Sequence, residues 1–177
     1  LNGIFNKKLN WYLNYSYVDA SFQDAFVGIS ANHPNAADIN GDGTANEIQV
    51  NPGDRIPGIP EHTFKLGGLY SFTENFSVGA NMIYNSTQVL RGDESNELGP
   101  VDGYAIVNLN STYKINKTFP VLARVNNLFD TDYETFGLLG EADEVFDGSG
   151  ATAAFTSSVF QGAGAPISGF VGVSATF

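Results

Sequence analysis

Oxygen-bearing side chains occupy every second residue in one stretch of the chain, and this spacing is typical of a calcium loop. Asp38, Asn40 and Asp42 match its first, third and fifth positions, and Gly43 follows where the loop needs a sharp turn. Three further oxygen donors would complete the shell as a backbone carbonyl, a water-bridged amide and a carboxylate: Thr44, Asn46 and Glu47. The spacing therefore predicts Ca²⁺ binding at 38–47.

The same stretch departs from the calcium pattern at its end. Gln49 stands where such loops carry a bidentate acid, and Glu47 comes two residues earlier. Clusters of Asp, Asn and Gly also reverse a chain without any metal. Two interpretations stay open, a weak calcium site and a metal-free cluster of turns, and no other cofactor is expected.

The elements that position this loop are predicted to be strands, because six segments follow a period of two, with mostly apolar residues on one face and mostly polar residues on the other. Near the C-terminus, Val171, Val173 and Phe177 lie on one face of such a segment, and Gly172 and Ser174 lie on the other. A period of two predicts β-strands whose two faces meet different surroundings. The predicted strands cover about 10–18, 62–72, 76–86, 102–114, 119–129 and 166–177. We therefore expect an all-β, antiparallel fold.

The two faces of these strands differ as the two sides of a membrane barrel wall do. One face carries no charged residue, and the other is rich in Asn, Ser, Thr and Gly, with Lys65 and Arg124. A soluble sandwich would usually present many Lys and Glu to water. Aromatic residues end the apolar face at one rim, where a lipid interface would place them: Trp11, Phe72, Phe76, Tyr113, Phe119 and Phe177. The pattern predicts an antiparallel transmembrane β-barrel.

The connections between the strands are of two kinds. Short turns at 73–75 and 114–118 mark one end, and long connections at about 19–61, 86–102 and 130–165 mark the other. Outer-membrane barrels have short periplasmic turns and long extracellular loops. We therefore expect the long connections outside a Gram-negative cell and the C-terminus in the periplasm.

Charge is divided between the same two ends. All but Glu74 of the 19 acidic residues lie in the long connections, and the short-turn end carries four lysines: Lys7, Lys8, Lys114 and Lys117. An acidic vestibule would steer a cationic or metal-bearing ligand inward. Ordinary solvation of the loops, with divalent ions bridging to lipopolysaccharide, would explain the same acidity.

Composition and local pattern exclude several classes of protein. Mean hydropathy is −0.09, and no stretch approaches the ~18 apolar residues of a membrane helix. Cysteine is absent and net charge is −11, which argues against a disulfide scaffold and a nucleic-acid partner. His33 and His62 stand in no catalytic arrangement, so no enzyme is expected. The triplet 91–93 spells Arg-Gly-Asp, a cell-adhesion sequence that also arises by chance.

Six strands are too few to close a barrel around a lumen, since the smallest such barrels have about 8. An open edge in lipid would leave backbone groups unpaired. The chain also opens at Leu1 without an initiator Met or a signal peptide. We therefore expect further strands before Leu1, with Lys7 and Lys8 in the turn after a strand that ends near Phe5.

Several segments resemble one family. The run 124–130, Arg-Val-Asn-Asn-Leu-Phe-Asp, followed by Tyr133, resembles the signature near the penultimate strand of TonB-dependent receptors. The segments 55–62, 91–96 and 103–104 are also similar to sequences of that family. The resemblance implies that 1–177 is the C-terminal part of a barrel of about 22 strands. An N-terminal plug and the motif that binds TonB would lie outside this sequence.

The resemblance also implies a function and its partners. It implies an outer-membrane receptor that imports a scarce nutrient, most commonly a ferric siderophore or another metal chelate. The implied partners are outer-membrane lipid and lipopolysaccharide, the inner-membrane TonB complex, and the barrel-assembly machinery, which recognises a terminal strand ending as this one does at Phe177. Cobalamin, haem, other metals and glycans stay open as cargo. A passive porin or structural barrel, and a secreted calcium-binding β-sandwich, are the alternative functions.

Overall fold

The computed structural model describes residues 1–116, 118–141 and 157–175. These ranges contain eleven strands, in chain order: β1 (Asn2–Phe5), β2 (Leu9–Tyr17), β3 (Phe26–Ile29), β4 (Glu47–Val50), β5 (His62–Ser71), β6 (Phe76–Asn85), β7 (Tyr104–Lys114), β8 (Pro120–Asn126), β9 (Glu134–Leu139), β10 (Val159–Ala163) and β11 (Ser168–Val173). No helix in the described ranges is long and apolar enough to cross a membrane. The predicted all-β, antiparallel fold is confirmed.

Seven of these strands form one antiparallel sheet, which we call the wall. Its order is β1-β2-β5-β6-β7-β8-β11, so every strand pairs with the next wall strand along the chain. Each of the six segments predicted from the sequence overlaps one wall strand, and β1 adds the strand expected to end near Phe5. The predicted segment 119–129 is longer than β8, which ends at Asn126, because Asn127 has a φ angle of 48° and cannot continue an extended strand.

The strand register keeps the two faces of the wall separate. Trp11 pairs with Gly68, and along the same row the pairs continue to Ala80, Leu109 and Val125. Directly paired residues of antiparallel strands point to the same side. The apolar face predicted from each strand alone is therefore continuous across the sheet. Val171 and Val173 on this face are 73% and 67% exposed, so no part of the described chain covers them.

The long connections contain four strands that the sequence did not predict. β3 pairs with β4, and β9 pairs with β10, as two separate antiparallel hairpins. We name the described parts of 19–61, 86–103 and 127–167 the long-loop body. All the buried hydrophobic side chains of the described ranges belong to it: Ile48, Val50, Val89, Leu90 and Val101. The packed protein core therefore lies beside the wall's strand ends and not on either face of the wall.

Candidate functional site

The predicted calcium loop folds into a set of tight turns around Asp38. One carboxylate oxygen of Asp38 accepts hydrogen bonds from the backbone N–H groups of Gly41 at 2.8 Å and Asp42 at 3.0 Å. The other oxygen accepts from the N–H of Gly43 at 2.9 Å. Gly41 and Gly43 have φ angles of 78° and 89°, which glycine adopts without strain. The turns therefore need these glycines whether or not a metal binds.

Asn40 joins the tip of the loop to its base. Its side-chain amide donates to Glu47 Oε1 at 2.6 Å and to Asp42 Oδ2 at 3.3 Å. Glu47 is buried at the start of β4, and its second oxygen accepts from the N–H groups of Ile39 and Asn40. Four of the six predicted ligands, Asp38, Asn40, Asp42 and Glu47, thus belong to one hydrogen-bonded cluster.

The other two predicted ligands lie at the side of this cluster. Thr44 donates its N–H to Asp42 Oδ1 at 2.8 Å, and its carbonyl accepts the N–H of Asn46 at 3.0 Å. Within the described ranges, no group of three His, Cys, Asp or Glu side chains is arranged to hold a metal ion. Calcium binding through these mixed oxygen donors therefore stays a prediction.

The hydrogen bonds of the loop shift the acidity of Asp42. The bond from the Thr44 backbone, followed by the bond from the Asn40 side chain, holds the pKa of Asp42 below its ordinary value of 3.8. Both bonds favour the ionised carboxylate. Asp42 is therefore negatively charged at neutral pH, as a calcium ligand has to be.

A buried histidine and a buried aspartate join the first two long connections. His33 Nε2 lies 3.0 Å from Asp93 Oδ1, and these side chains are 0% and 1% exposed. The Asn35 N–H points to His33 Nδ1 at 3.1 Å. Because Nδ1 accepts this bond, the ring proton is on Nε2 and is donated to Asp93. Sequence analysis missed this pair, since 60 residues separate its members.

Asp93 lies at the centre of a turn that contacts the first long connection at two places, His33 and Arg55. Its carboxylate accepts from the N–H groups of Glu97 at 2.9 Å and Leu98 at 3.1 Å. At the end of the turn, Asn96 accepts the Arg55 N–H at 2.7 Å and donates to the Arg55 carbonyl at 3.0 Å. With its carboxylate buried in these bonds, Asp93 is inaccessible to an adhesion receptor, so the Arg-Gly-Asp triplet has a structural role.

The third long connection packs onto the second. Arg91 exchanges backbone hydrogen bonds with Gly137 at 3.0 Å and Leu139 at 2.8 Å, which attaches β9 to the segment 86–103. A Cβ atom at Gly137 would overlap Leu90 and Val101, so only glycine allows this close approach. The three long connections therefore form a single packed body.

The signature segment 124–130 ties together the two ends of the third connection. The side chain of Asn127, which is 2% exposed, accepts from the Thr131 N–H and donates to the carbonyls of Thr131 and Ala165, at 2.9 to 3.1 Å. Asp130 accepts the Ile167 N–H at 2.8 Å. These residues hold the chain where it leaves β8 and enters β11, which explains their types without a ligand.

The polar face of the wall presents amides and two cations. Asn108 donates to Asn81 at 2.9 Å across neighbouring strands, and Asn85 donates to Tyr104 at 2.8 Å. The guanidinium carbon of Arg124 lies 5.6 Å from the centre of the Phe170 ring. Lys65 and Arg124 are exposed on this face, so it can contact a polar or acidic surface.

An apolar face without protein cover, a polar opposite face and a packed body of long connections together define a segment of an outer-membrane β-barrel. Residues 1–128 match the family described as TonB dependent receptor-like, beta-barrel. Because this match includes more than half of the chain, the chain belongs to the TonB-dependent receptor family. Members of this family are outer-membrane receptors of Gram-negative bacteria.

Similar proteins support the same assignment. The chain is 34% identical over 80 residues to the catecholate siderophore receptor Fiu of Escherichia coli K12, which covers 44% of this chain and 10% of that receptor. The crystal structure of the siderophore receptor PiuA from Acinetobacter baumannii matches 97% of this chain and 20% of its own, with 18% identity and a TM-score of 0.70. The closed form of Fiu matches 97% of this chain and 19% of its own, with 20% identity and a TM-score of 0.60. The chain thus spans a tenth to a fifth of the length of these relatives.

Proposed function

We propose that this chain is part of an outer-membrane receptor that imports a ferric siderophore, of the catecholate class, or another metal chelate. The similarity to Fiu carries this proposal, because its name gives a catecholate siderophore as the ligand. Import would draw energy from the inner-membrane TonB complex, which acts through regions outside this sequence. Catalysis has no part in the proposal.

The proposed orientation puts the long-loop body outside the cell and the C-terminus in the periplasm. The apolar face would then meet outer-membrane lipid and lipopolysaccharide, and the polar face would line the lumen of a barrel of about 22 strands. The division between short turns and long connections supports this orientation. The exposure of Val171 and Val173 supports contact of the apolar face with lipid.

The long-loop body would form a preorganised part of the ligand entrance. Its three connections are already joined by the His33–Asp93 pair and by β9. A ligand that binds an ordered surface does not pay the entropy of ordering it. Its acidic residues would attract the metal-bearing cargo or would bind divalent ions that bridge to lipopolysaccharide.

Uptake of radiolabelled iron tests the proposed function. The full-length receptor is expressed in cells without other siderophore receptors and supplied with a ferric catecholate. We expect uptake that disappears in a matched strain without TonB. Uptake that persists without TonB would support the passive porin instead, and absence of uptake with catecholate and hydroxamate chelates would contradict iron import.

We also propose weak Ca²⁺ binding at 38–47, supported by the clustering of Asp38, Asn40, Asp42 and Glu47. Affinity should lie near the ~10⁻⁴–10⁻³ M of extracellular calcium modules, because Gln49 replaces the usual acid. Millimolar Ca²⁺ should protect this loop of the full-length receptor from protease. Asp42→Ala should abolish the protection, whereas Asp24→Ala, with the same change of charge, should keep it. Equal cleavage with and without Ca²⁺ would contradict the calcium site and support the metal-free cluster of turns.

The C-terminal strand would serve as the signal for the barrel-assembly machinery. Phe177 lies outside the described residues, and the proposal rests on the alternating pattern that ends there. Deletion of Phe177 from the full-length receptor should lower its surface abundance more than its ligand affinity. Normal abundance after the deletion would contradict this role.

A further inference from the structure

The short-turn end of the wall differs in charge from the long-loop body. Lys7, Lys8 and Lys114 lie at this end, together with a single acid, Glu74. Neither Lys7 nor Lys8 forms an ion pair with any carboxylate of the described ranges. This end of the wall therefore presents positive charge that the described chain does not neutralise.

The backbone holds these lysines in a fixed place. Asn6 and Lys7 have φ angles of 47° and 55°, and the Lys8 N–H donates to the Phe5 carbonyl at 3.1 Å. Two successive residues with positive φ make the tight hairpin turn that suits the twist of a sheet. The turn from β1 to β2 is thus short and ordered.

A second turn lies directly beside the first. The Ser71 N–H donates to the Lys8 carbonyl at 2.8 Å, and the Phe72 N–H closes the next turn onto the Phe76 carbonyl at 3.0 Å. A groove of about 300 Å³ lies between the two turns, and both polar and apolar side chains line it: Lys7, Lys8, Ser71, Phe72, Thr73 and Glu74.

Aromatic rings continue from this groove along the apolar face. The Tyr70 and Phe72 ring centres are 4.7 Å apart, Phe72 and Phe76 are 5.5 Å apart, and Phe76 and Tyr113 are 6.4 Å apart. Phe72 and Tyr113 are 52% and 53% exposed. A belt of exposed rings marks the depth at which lipid headgroups meet acyl chains. The groove therefore opens at headgroup level.

We propose that this groove binds the headgroup of an anionic phospholipid from the leaflet at the short-turn end. The ammonium groups of Lys7 and Lys8 would bind the phosphate, and an acyl chain would follow Phe72 and Tyr70. Two cations against one acid favour an anionic lipid over a zwitterionic one. This inference rests on the membrane placement in the proposed function and is independent of the cargo.

The full-length receptor, reconstituted in nanodiscs of phosphatidylglycerol and phosphatidylcholine, tests the inference. Native mass spectrometry measures which lipid stays bound. We expect phosphatidylglycerol to be preferred, and Lys7→Gln with Lys8→Gln to lower the preference by about fivefold for each lysine. The matched control, Lys65→Gln with Arg124→Gln, removes the same charge from the polar face and should keep the preference.

Each other outcome overturns the inference. A wild-type receptor without lipid preference, or a double lysine variant that keeps it, removes the basis for a site. Displacement of the lipid by millimolar inorganic phosphate would identify a free-anion site, and a preference for phosphatidylcholine would show that the two lysines do not select an anionic headgroup. Iron uptake is measured separately, so a failure of this inference differs from a failure of the proposed function.

Discussion

The wall and the long-loop body bury apolar side chains in different ways. Val50 and Val101 in the body are 0% exposed, whereas Val171 and Val173 in the wall are 73% and 67% exposed. Residues of one type thus have opposite surroundings in two parts of one chain. The body is stabilised by its own core, and in the proposed membrane placement the wall depends on backbone pairing and on lipid. The same kind of substitution should therefore change the stability of the two regions by different amounts.

The largest expected loss of stability is confined to the long-loop body. Asp93→Ala would leave the buried His33 Nε2 and the half-buried N–H groups of Glu97 and Leu98 without their acceptor. We expect a loss of about 3–5 kcal/mol in the local stability of the body. Hydrogen exchange should show lost protection in 86–103 with unchanged protection in the wall. Asp93→Asn keeps one acceptor oxygen and should lose less; unchanged exchange in Asp93→Ala would show that the pair does not hold the body together.

The next effect is local to the wall and tests which face meets lipid. Val107 lies on the apolar face, paired with Met82, and Asn108 lies on the polar face, paired with Asn81. Arg at position 107 should cost about 2–4 kcal/mol of folding free energy near mid-membrane. Asn108→Arg should cost far less, because the charge stays in a polar lumen. Equal folding free energies of the two variants would refute the assignment of faces.

The wall could be predicted from the sequence because alternation persists along its strands. Phe76–Asn85 alternates over ten residues, long enough for a period of two to stand out. The four-residue strands β3 and β4 are too short for that. The end of β8 was placed too late, since nothing in the residue types requires the positive φ of Asn127.

The candidate site could be predicted only where it is local in the chain. The turns around Asp38 and the glycines within them follow from neighbouring residues. The His33–Asp93 pair does not, because it forms when two long connections pack, 60 residues apart in sequence. The role of Asn127 was likewise hidden, since its partner Ala165 lies beyond the entire third connection.

A smaller change in stability is expected when a single glycine is replaced by alanine, and the size of the change should differ between the two regions. A Cβ at Gly137 would overlap Leu90 and Val101 in the body, whereas a Cβ at Gly172 in the wall would meet no atom within 4 Å. We expect Gly137→Ala to destabilise the body by about 1–3 kcal/mol through overpacking. Gly172→Ala should leave stability nearly unchanged. Chemical denaturation with a probe in each region measures both, and a larger effect at Gly172 would reverse the comparison.

The smallest expected effect is the loss of stability of the 38–47 loop at acidic pH. The pKa of Asp42 is held below 3.8 by the bonds from Thr44 and Asn40. The contribution of these bonds to loop stability is therefore fully present above pH 3.8 and is lost as pH falls through the lower native pKa. Hydrogen exchange of the Thr44 amide should stay protected down to that lower value and should lose this acid step in Asp42→Asn. Loss of protection above pH 3.8 would contradict the shift.

Single-cysteine labelling along β7 tests the central claim, that one face of the wall meets lipid and the other a polar lumen. The 177-residue chain has no cysteine of its own, so in the full-length receptor, with any cysteine outside this sequence replaced, each of positions 105–110 can carry one spin label. Collisions with oxygen, which is concentrated in lipid, and with a water-soluble nickel complex are then compared. The account predicts that oxygen access peaks at 105, 107 and 109 and that nickel access is higher at 106, 108 and 110. Equal access at neighbouring positions, or the opposite phase, would contradict it.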